Sequence, residues 1–320
     1  MSGLFTRVAR PAILAASRSD RLRHSAERMP VARDVVGRFV PGETVEDALE
    51  AVTALRDSGR LVSIDYLGED VTDAETAEAT VQAYLHLLDA LGARGEGTGS
   101  VRPLEVSLKL SALGQALPKD GDKIAFENAH TICQRAQEVG AWVTIDAEDH
   151  TTTDSTLSIL RELRTEFPWV GTVLQAYLKR TESDCAEFAA AGARIRLCKG
   201  AYDEPASVAY RDAAEVTESY LRCLRTLMAG NGYPMVASHD PAVITAAGEL
   251  VREFDRGTDG FEYQMLYGIR DTEQRRLADG GSHMRVYVPF GSQWYGYFVR
   301  RLAERPANLT FFLRALAHRH

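Results

Sequence analysis

The residues best suited to binding a small anion lie close together near the carboxyl end of the chain. Tyr297, Arg301 and Glu304 recur at the spacing of one stripe along a helix, and Arg300 stands beside Arg301. Two adjacent guanidiniums can offer forked donors to a single carboxylate. The same pattern also fits a solvated helix face with an Arg301–Glu304 surface pair, so this segment by itself leaves both interpretations open.

Another charged residue lies where the pattern is otherwise apolar. Lys109 interrupts the run SLKLSALG, and a buried lysine is costly unless an acid pairs with it. Asp146, in VTIDAED, closes the next apolar run, so we expect a Lys109–Asp146 pair. Lys109 is then a structural bridge or a cation that faces a substrate carboxylate, and the two roles are compatible.

The remaining candidates also lie at the ends of apolar runs. Glu69 is either a lone surface acid or an ion-pair partner for an arginine of the site. Glu148, Asp149 and His150 contain metal-ligand types, but no second histidine stands at ligand spacing, so we expect a solvated loop with helix-capping acids. The other candidates are Gln175, Tyr177, Arg196, Lys199, Gly200, Ala201, Ser238, His239, Gln264, Leu266 and Tyr287.

A regular alternation along the chain can bring these run ends together. Apolar runs alternate with stretches of helical period, such as AETAEATVQAYLHLLDALG. This predicts an α/β fold, a parallel (βα)8 barrel of the TIM type whose active face lies at the carboxyl ends of the strands. We expect a helical arm over residues 1–44 and the barrel over 45–320. The strand-like runs are 61–67, 104–110, 141–147, 171–178, 193–200, 233–239, 261–266 and 284–290.

Composition limits the classes of protein. The 320 residues carry a net charge of −8 and are 45% hydrophobic, so a large core is available and nucleic acid is a poor partner. No apolar run is long enough to span a membrane, and no glycine motif fits a Rossmann or phosphate-binding loop. We expect reduced cysteines and a cytoplasmic protein. The cysteines are Cys133, Cys185, Cys198 and Cys223.

Eight segments at successive strand ends together resemble the proline dehydrogenase family, which includes one domain of the bifunctional proline utilisation proteins. They occur in the family's order over about residues 60–315. Each is weak alone, but the set is specific and outweighs the alternatives left open above. The segments are LGED, SLKLSALG, VTIDAED, VLQAYLKR, RIRLCKGAY, SHD, EYQML and YVPFG followed by YGYFVRRLAER.

The resemblance implies a barrel whose last helix lies over the mouth, with FAD bound non-covalently at the carboxyl ends of the strands. Asp146 would hold Tyr287, and Glu69 would pair with one of the two arginines in the absence of substrate. Implied contacts of L-proline are Lys109, Ala201, Leu266, Tyr287, Tyr297, Arg300 and Arg301. Implied contacts of the flavin are Gln175, Arg196, Cys198, Lys199, Gly200, Ala201, Ser238, His239 and Gln264. The sequence has Cys198 and Ser238 where the family more often has an aliphatic residue and threonine.

The implied activity is oxidation of L-proline to Δ1-pyrroline-5-carboxylate with hydride transfer to FAD, the first step of proline catabolism. Quinone or another acceptor would reoxidise the flavin, and a separate pyrroline-5-carboxylate dehydrogenase would act downstream. The basic N-terminal arm suggests at most a weak peripheral contact with the inner face of a membrane. The alternatives are another FAD-dependent barrel oxidoreductase, similar to methylenetetrahydrofolate reductase, and a non-catalytic barrel.

Overall fold

Eight parallel strands close into a barrel in the computed structural model, which describes residues 36–93 and 100–304, with the backbone alone for 302–304. Each strand pairs with the next along the chain, and the last pairs with the first. The strands are β1 (Leu61–Tyr66), β2 (Leu104–Leu108), β3 (Trp142–Ile145), β4 (Gly171–Gln175), β5 (Arg194–Cys198), β6 (Tyr233–Ala237), β7 (Glu262–Leu266) and β8 (Met284–Phe290).

Helices precede, connect and follow the strands. Some of them begin with a side-chain cap: the side chain of Thr44 accepts from Asp47 N, and Asp240 accepts from Ala242 N in a helix that begins with Pro241. The helices are α1 (Val45–Asp57), α2 (Ala74–Gly92), α3 (Gly121–Val139), α4 (Thr153–Glu166), α5 (Thr181–Ala190), α6 (Ala213–Ala229), α7 (Pro241–Glu253), α8 (Asp271–Asp279) and α9 (Trp294–Glu304).

In most strands the two faces differ in polarity. Residues such as Ile64, Val106 and Val288 are fully buried in the apolar core that includes the inner faces of the helices. The alternate positions carry polar side chains that meet one another inside the barrel, because successive residues of a strand point to opposite sides. Thus Arg196 of β5 donates to Glu105 of β2 across the interior, at 2.6 Å.

The lower interior of the barrel is an ion-pair network. Arg285 donates to both carboxylate oxygens of Glu262, at 2.7 and 2.9 Å, and to the carbonyl of Val62 at 2.9 Å. Arg194 and Arg196 both contact Glu105. Burial alone would raise the pKa of Glu105, but the surrounding guanidiniums outweigh it and lower that pKa.

The predicted fold class is confirmed, with strands that mostly end earlier than their apolar runs. β4 stops at Gln175 because the next residues form a turn, in which Leu178 bridges to Ala209. Lys109 likewise follows β2 and precedes a short 3₁₀ helix, Leu110–Leu113. These departures lie at the active face, where the chain leaves the barrel.

The last helix lies over the barrel mouth and is packed against residues that precede α1. Phe39 contacts Phe298 with ring centroids 6.1 Å apart, and Trp294 Nε1 donates to Glu43 at 3.3 Å. A single apolar cluster joins residues 36–40 to α9. The helical arm predicted over 1–44 falls mostly outside the described residues and stays a prediction. Among residues 36–93 and 100–304, no helix is long and apolar enough to cross a membrane.

Candidate active site

A cavity of about 750 Å³ opens at the carboxyl ends of the strands, beneath α9. Its wall contains every residue that the sequence analysis assigned to substrate or flavin, together with Asp146. Seven strands, from β2 to β8, and the helix α9 bring these residues to one place, as expected for a barrel whose strand ends converge on one face. Their roles toward a ligand stay predictions. Glu69 lies beside this wall, in contact with Arg300.

Two arginines enter the cavity from α9. Arg300 Nη1 lies 2.7 Å from Glu69 Oε1, and the Arg301 guanidinium lies 4.9 Å from the ring centre of Tyr297. Both arginines are largely buried, so the solvated helix face left open by the sequence is wrong. Burial disfavours the charge on Arg300, but the adjacent Glu69 outweighs that effect and raises its pKa. Because Glu69 is about one-third exposed and lies on a loop, another carboxylate can take its place.

Lys109 lies at the floor of the cavity with two acids. Its Nζ is 2.6 Å from Asp65 Oδ2 and 3.9 Å from Asp146 Oδ2. The sequence analysis named Asp146 as the partner, but the close partner is Asp65, which it did not consider. Asp65 sits within the apolar-looking run LVSIDYL, where only the alternation with Ser63 signals a polar inner face. Attraction by these acids raises the pKa of Lys109 against the opposing effect of burial.

Tyr287 forms one wall and is fixed by hydrogen bonding. Its hydroxyl donates to Asp146 Oδ2 at 2.8 Å, and Arg196 donates to Asp146 Oδ1 at 2.8 Å. Arg196 also donates to Ser63, Glu105, Ser107 and Gln264, so all five of its N–H donors have acceptors within the protein. A hydrogen bond from Arg196 to any ligand would therefore replace one of these, whereas its charge acts on the cavity without rearrangement.

Glu148 differs from its expected place in a solvated loop. The carboxylate is buried and accepts from Ser111 N at 3.1 Å and from Ser111 Oγ. Burial raises the pKa of Glu148 to about 7, against the hydrogen bonds from Ser111. Because Asp70 N donates to the same Ser111 hydroxyl, this cluster fixes the loop that carries Glu69. The expectation failed because a strand-end acid can turn inward as easily as outward.

Residues 202–204, which lie between β5 and α6, also line the cavity, and the sequence analysis gave them no role. Tyr202 lies in the cavity wall near Arg300. Glu204 anchors the segment: its carboxylate accepts from His150 N at 2.9 Å, contacts His150 Nδ1 and accepts from Tyr177 Oη at 3.3 Å. His150 is therefore a structural partner of this segment. One sign in the sequence indicated that Tyr202 could line the cavity, namely that it directly follows Gly200-Ala201.

Polar groups at or just after the ends of β4 to β7 form another part of the cavity wall. His239 Nε2 accepts from Leu266 N at 3.0 Å, which assigns the ring proton to Nδ1. Lys199 lies at the rim, 2.8 Å from Asp240 and one-third exposed. Gly200 has φ +111°, and a Cβ there would overlap the ring of Tyr177. The absence of a side chain at Gly200 is therefore required by the packing of Tyr177, whether or not a ligand binds there.

The four cysteines are free thiols, and three of them are buried core residues as expected. Cys198 differs, because it is less buried and lies in the cavity wall among the residues assigned to the flavin. Burial raises the pKa of the Cys198 thiol to about 12, so it is neutral at physiological pH. No cluster of three or more histidine, cysteine or carboxylate side chains suited to a metal ion occurs among the described residues.

The cavity at the active face of this (βα)8 barrel has cationic side chains in its wall, an arrangement typical of a barrel enzyme that acts on a small ligand. Sequence comparison makes the assignment specific. The chain belongs to the proline dehydrogenase family, whose family model matches residues 48–314.

Individual relatives agree with this assignment. A proline dehydrogenase of Deinococcus radiodurans is 42% identical over 282 residues, covering 87% of this chain and 89% of the relative. Proline dehydrogenase 2 of Bacillus subtilis is 35% identical over 284 residues, covering 89% and 91%. A crystal structure of proline utilization A from Bdellovibrio bacteriovorus, inactivated by N-propargylglycine, aligns with a TM-score of 0.76 at 26% identity. That alignment covers 85% of this chain but 32% of the larger protein.

Proposed function

We propose that this protein oxidises L-proline to Δ1-pyrroline-5-carboxylate with FAD as the hydride acceptor. Family membership makes the chain an oxidoreductase of proline catabolism; the cofactor and the product are the finer part of the proposal. The observation that carries it is the shared cavity, in which Lys109, Arg300 and Arg301 lie beside Tyr287 and Tyr297. These five side chains offer cations for a carboxylate and flat walls for a small ring.

The carboxylate of proline is the natural handle for these cations. Arg300 and Arg301 offer forked donors from the mouth, and Lys109 offers an ammonium from the floor. In the protein alone, Glu69 occupies Arg300. A bound substrate carboxylate would take its place, so that Arg300 keeps an anionic partner in both states.

The pyrrolidine ring needs a rigid slot more than it needs hydrogen bonds. Tyr287 is fixed by its bond to Asp146, and Leu266 lies next to it in the barrel register. Tyr297 lies in the same wall, against Arg301. Oxidation removes a hydride from a ring carbon and a proton from the ring nitrogen. Burial and Asp146 raise the pKa of Tyr287 far above its ordinary value, so its phenol stays neutral and is not the base.

The donor set suits a flavin. An isoalloxazine needs a flat slot with a few donors and acceptors along its edge, and the wall contains Gln175, Gln264 and His239. A diphosphate needs a cation, and Lys199 lies at the rim. Arg196, Cys198, Gly200, Ala201 and Ser238 would complete the contacts. When bound, FAD would supply hydride acceptance.

The partners complete the proposal. Quinone or another acceptor would reoxidise the flavin, and a separate dehydrogenase would consume the product. The proposed location is cytoplasmic, on the ground of the reduced cysteines. A weak membrane contact would involve the N-terminal arm, which lies mostly outside the described residues.

The test is spectroscopic. We expect the purified protein to be yellow, to release FAD on denaturation and to bleach when L-proline is added without oxygen. The matched control replaces proline with NADH, because NADH would reduce and bleach the flavin of an enzyme similar to methylenetetrahydrofolate reductase. Bleaching by NADH alone, or a colourless protein that takes up no flavin, would reject the proposal.

A further inference from the structure

Asp65 lies directly beneath the cavity. Its Oδ2 is 2.6 Å from Lys109 Nζ, and none of its side chain is exposed. Lys109 belongs to the cavity wall, whereas Asp65 does not. Asp65 therefore cannot touch a ligand there, and any effect on ligand binding must act through Lys109.

The backbone explains why these two side chains meet. Asp65 of β1 pairs in register with Ser107 of β2, and Lys109 follows two positions later in extended conformation, with φ −101° and ψ 123°. Residues two apart along a strand face the same side. The carboxylate and the ammonium thus leave adjacent strands into the barrel interior, with Asp65 one step deeper.

Several charges surround the ammonium, and Asp65 is the nearest of them. Asp146 is farther away, at 3.9 Å, and Coulomb attraction weakens with distance. Burial raises the pKa of the Asp65 carboxyl, and the adjacent ammonium opposes that rise. The titratable and charged groups around Lys109 are Asp65 from β1, Glu69 from the following loop, Asp146 and Glu148 from the end of β3, Arg196 from β5, Tyr287 from β8, and Arg300 and Arg301 from α9.

We propose that Asp65 is a positioning residue, which keeps Lys109 charged and holds its Nζ at the cavity floor. An ammonium has three N–H donors, so one can bind Asp65 while the others remain for a substrate carboxylate. The identity of that substrate rests on the proposed function, whereas the effect of Asp65 on Lys109 does not.

The effect on Lys109 is measurable without any activity. Trace labelling of the full-length protein with acetic anhydride at several pH values, read by peptide mass spectrometry, gives the titration curve of each lysine. Asp65→Asn keeps the size and an acceptor oxygen but removes the charge. We expect the Lys109 curve of this variant to move down by about 1–3 pH units. Asp184→Asn is the matched control, since Asp184 is also buried but pairs with Arg180 on an outer helix.

An unchanged Lys109 curve in Asp65→Asn would overturn the proposal. The unaltered protein gives a second test, should Asp65→Asn fail to fold. There Lys109 should titrate above the usual range of lysine side chains. A Lys109 curve below that range would contradict the proposal without any variant.

Kinetics then connect the contact to the substrate. In Asp65→Asn we expect KM for proline to rise at least tenfold between neutral and alkaline pH, relative to the wild type, with a smaller change in kcat. At lower pH, where Lys109 is still charged, KM should be equal or lower, because Asp65 no longer competes for the ammonium. Asp65→Glu should restore much of the wild-type profile.

The outcomes separate the two claims. A wild type that does not oxidise proline would reject the proposed function, and the labelling would still decide the role of Asp65. A wild type that oxidises proline, with a KM profile unchanged in Asp65→Asn, would reject the positioning role alone.

Discussion

The lower interior of the barrel and its mouth use the same ion-pair chemistry for different ends. At the bottom, Arg285 holds Glu262 with two hydrogen bonds, and neither side chain has any exposed surface. At the mouth, Arg300 holds Glu69 with one hydrogen bond, and Glu69 is about one-third exposed on a loop. The first pair joins two rigid neighbouring strands, whereas the second joins a helix to a loop. A pair of the first kind stabilises the fold, and a pair of the second kind can be exchanged for a ligand.

Glu262→Gln should produce the largest effect, and it acts on stability. The change leaves the Arg285 guanidinium buried without its anion, which costs about 3–5 kcal/mol of unfolding free energy. Urea denaturation measures this cost, and the matched change Glu69→Gln at the mouth should cost less than about 1 kcal/mol. Similar losses of unfolding free energy in the two variants would show that the ion pairs at the bottom and at the mouth do not differ in this way.

Arg301→Met should act on binding instead. Loss of a charge-assisted contact to the substrate carboxylate costs about 2–4 kcal/mol, which corresponds to a rise in KM for proline of about 30- to 700-fold. Stability should change little by comparison. Arg225→Met is the control, because Arg225 is an exposed arginine that pairs with Glu253 on the outer helices. An unchanged KM in Arg301→Met would remove Arg301 from the carboxylate site.

Glu148, at the mouth of the barrel, should make the free energy of unfolding depend on pH. Its pKa in the folded protein is raised from 4.5 to about 7, so the folded state holds a proton that the unfolded chain loses in this range. Its contribution to stability is present below the lower value and declines as pH rises to the upper one, by about 3 kcal/mol. Glu148→Gln should remove that decline and be more stable than the wild type above pH 7. Parallel curves of unfolding free energy against pH would contradict this.

Glu69→Gln should have the smallest effect, and its direction is informative. Glu69 competes with the substrate for Arg300, so its removal should lower KM for proline by up to about 5-fold, the value of an ordinary partly exposed pair. Steady-state kinetics at several salt concentrations measure the change. A raised KM would show that Glu69 supports the arginine instead of competing for it.

The barrel and most of its site residues were predictable from the sequence because strand ends converge in this architecture. Residues separated by more than a hundred positions, such as Gln175 and Tyr287, needed no further information to be placed together. The order of the strands followed from the alternation alone. The resemblance then supplied the roles, which remain predictions.

The acids around Lys109 were harder to predict, for a physical reason. Asp65 lies in a run whose other residues are mostly apolar. Only the alternate positions of a barrel strand face the polar interior, so a single acid there is easily overlooked. Glu148 reads as a loop acid, and its burial depends on Ser111, which lies far away in sequence. The segment that carries Tyr202 has no period to interpret. Contacts that depend on side-chain direction at strand ends are thus the part that required coordinates.

The central claim is that a carboxylate, held by the cations at the mouth, places a proline ring beside a flavin. The most direct test is anaerobic bleaching by L-proline and by L-prolinamide, which has the same ring but no carboxylate. We predict that proline bleaches the flavin and that prolinamide, at the same concentration, leaves it oxidised. Equal bleaching by both compounds, or none by proline, would contradict the account.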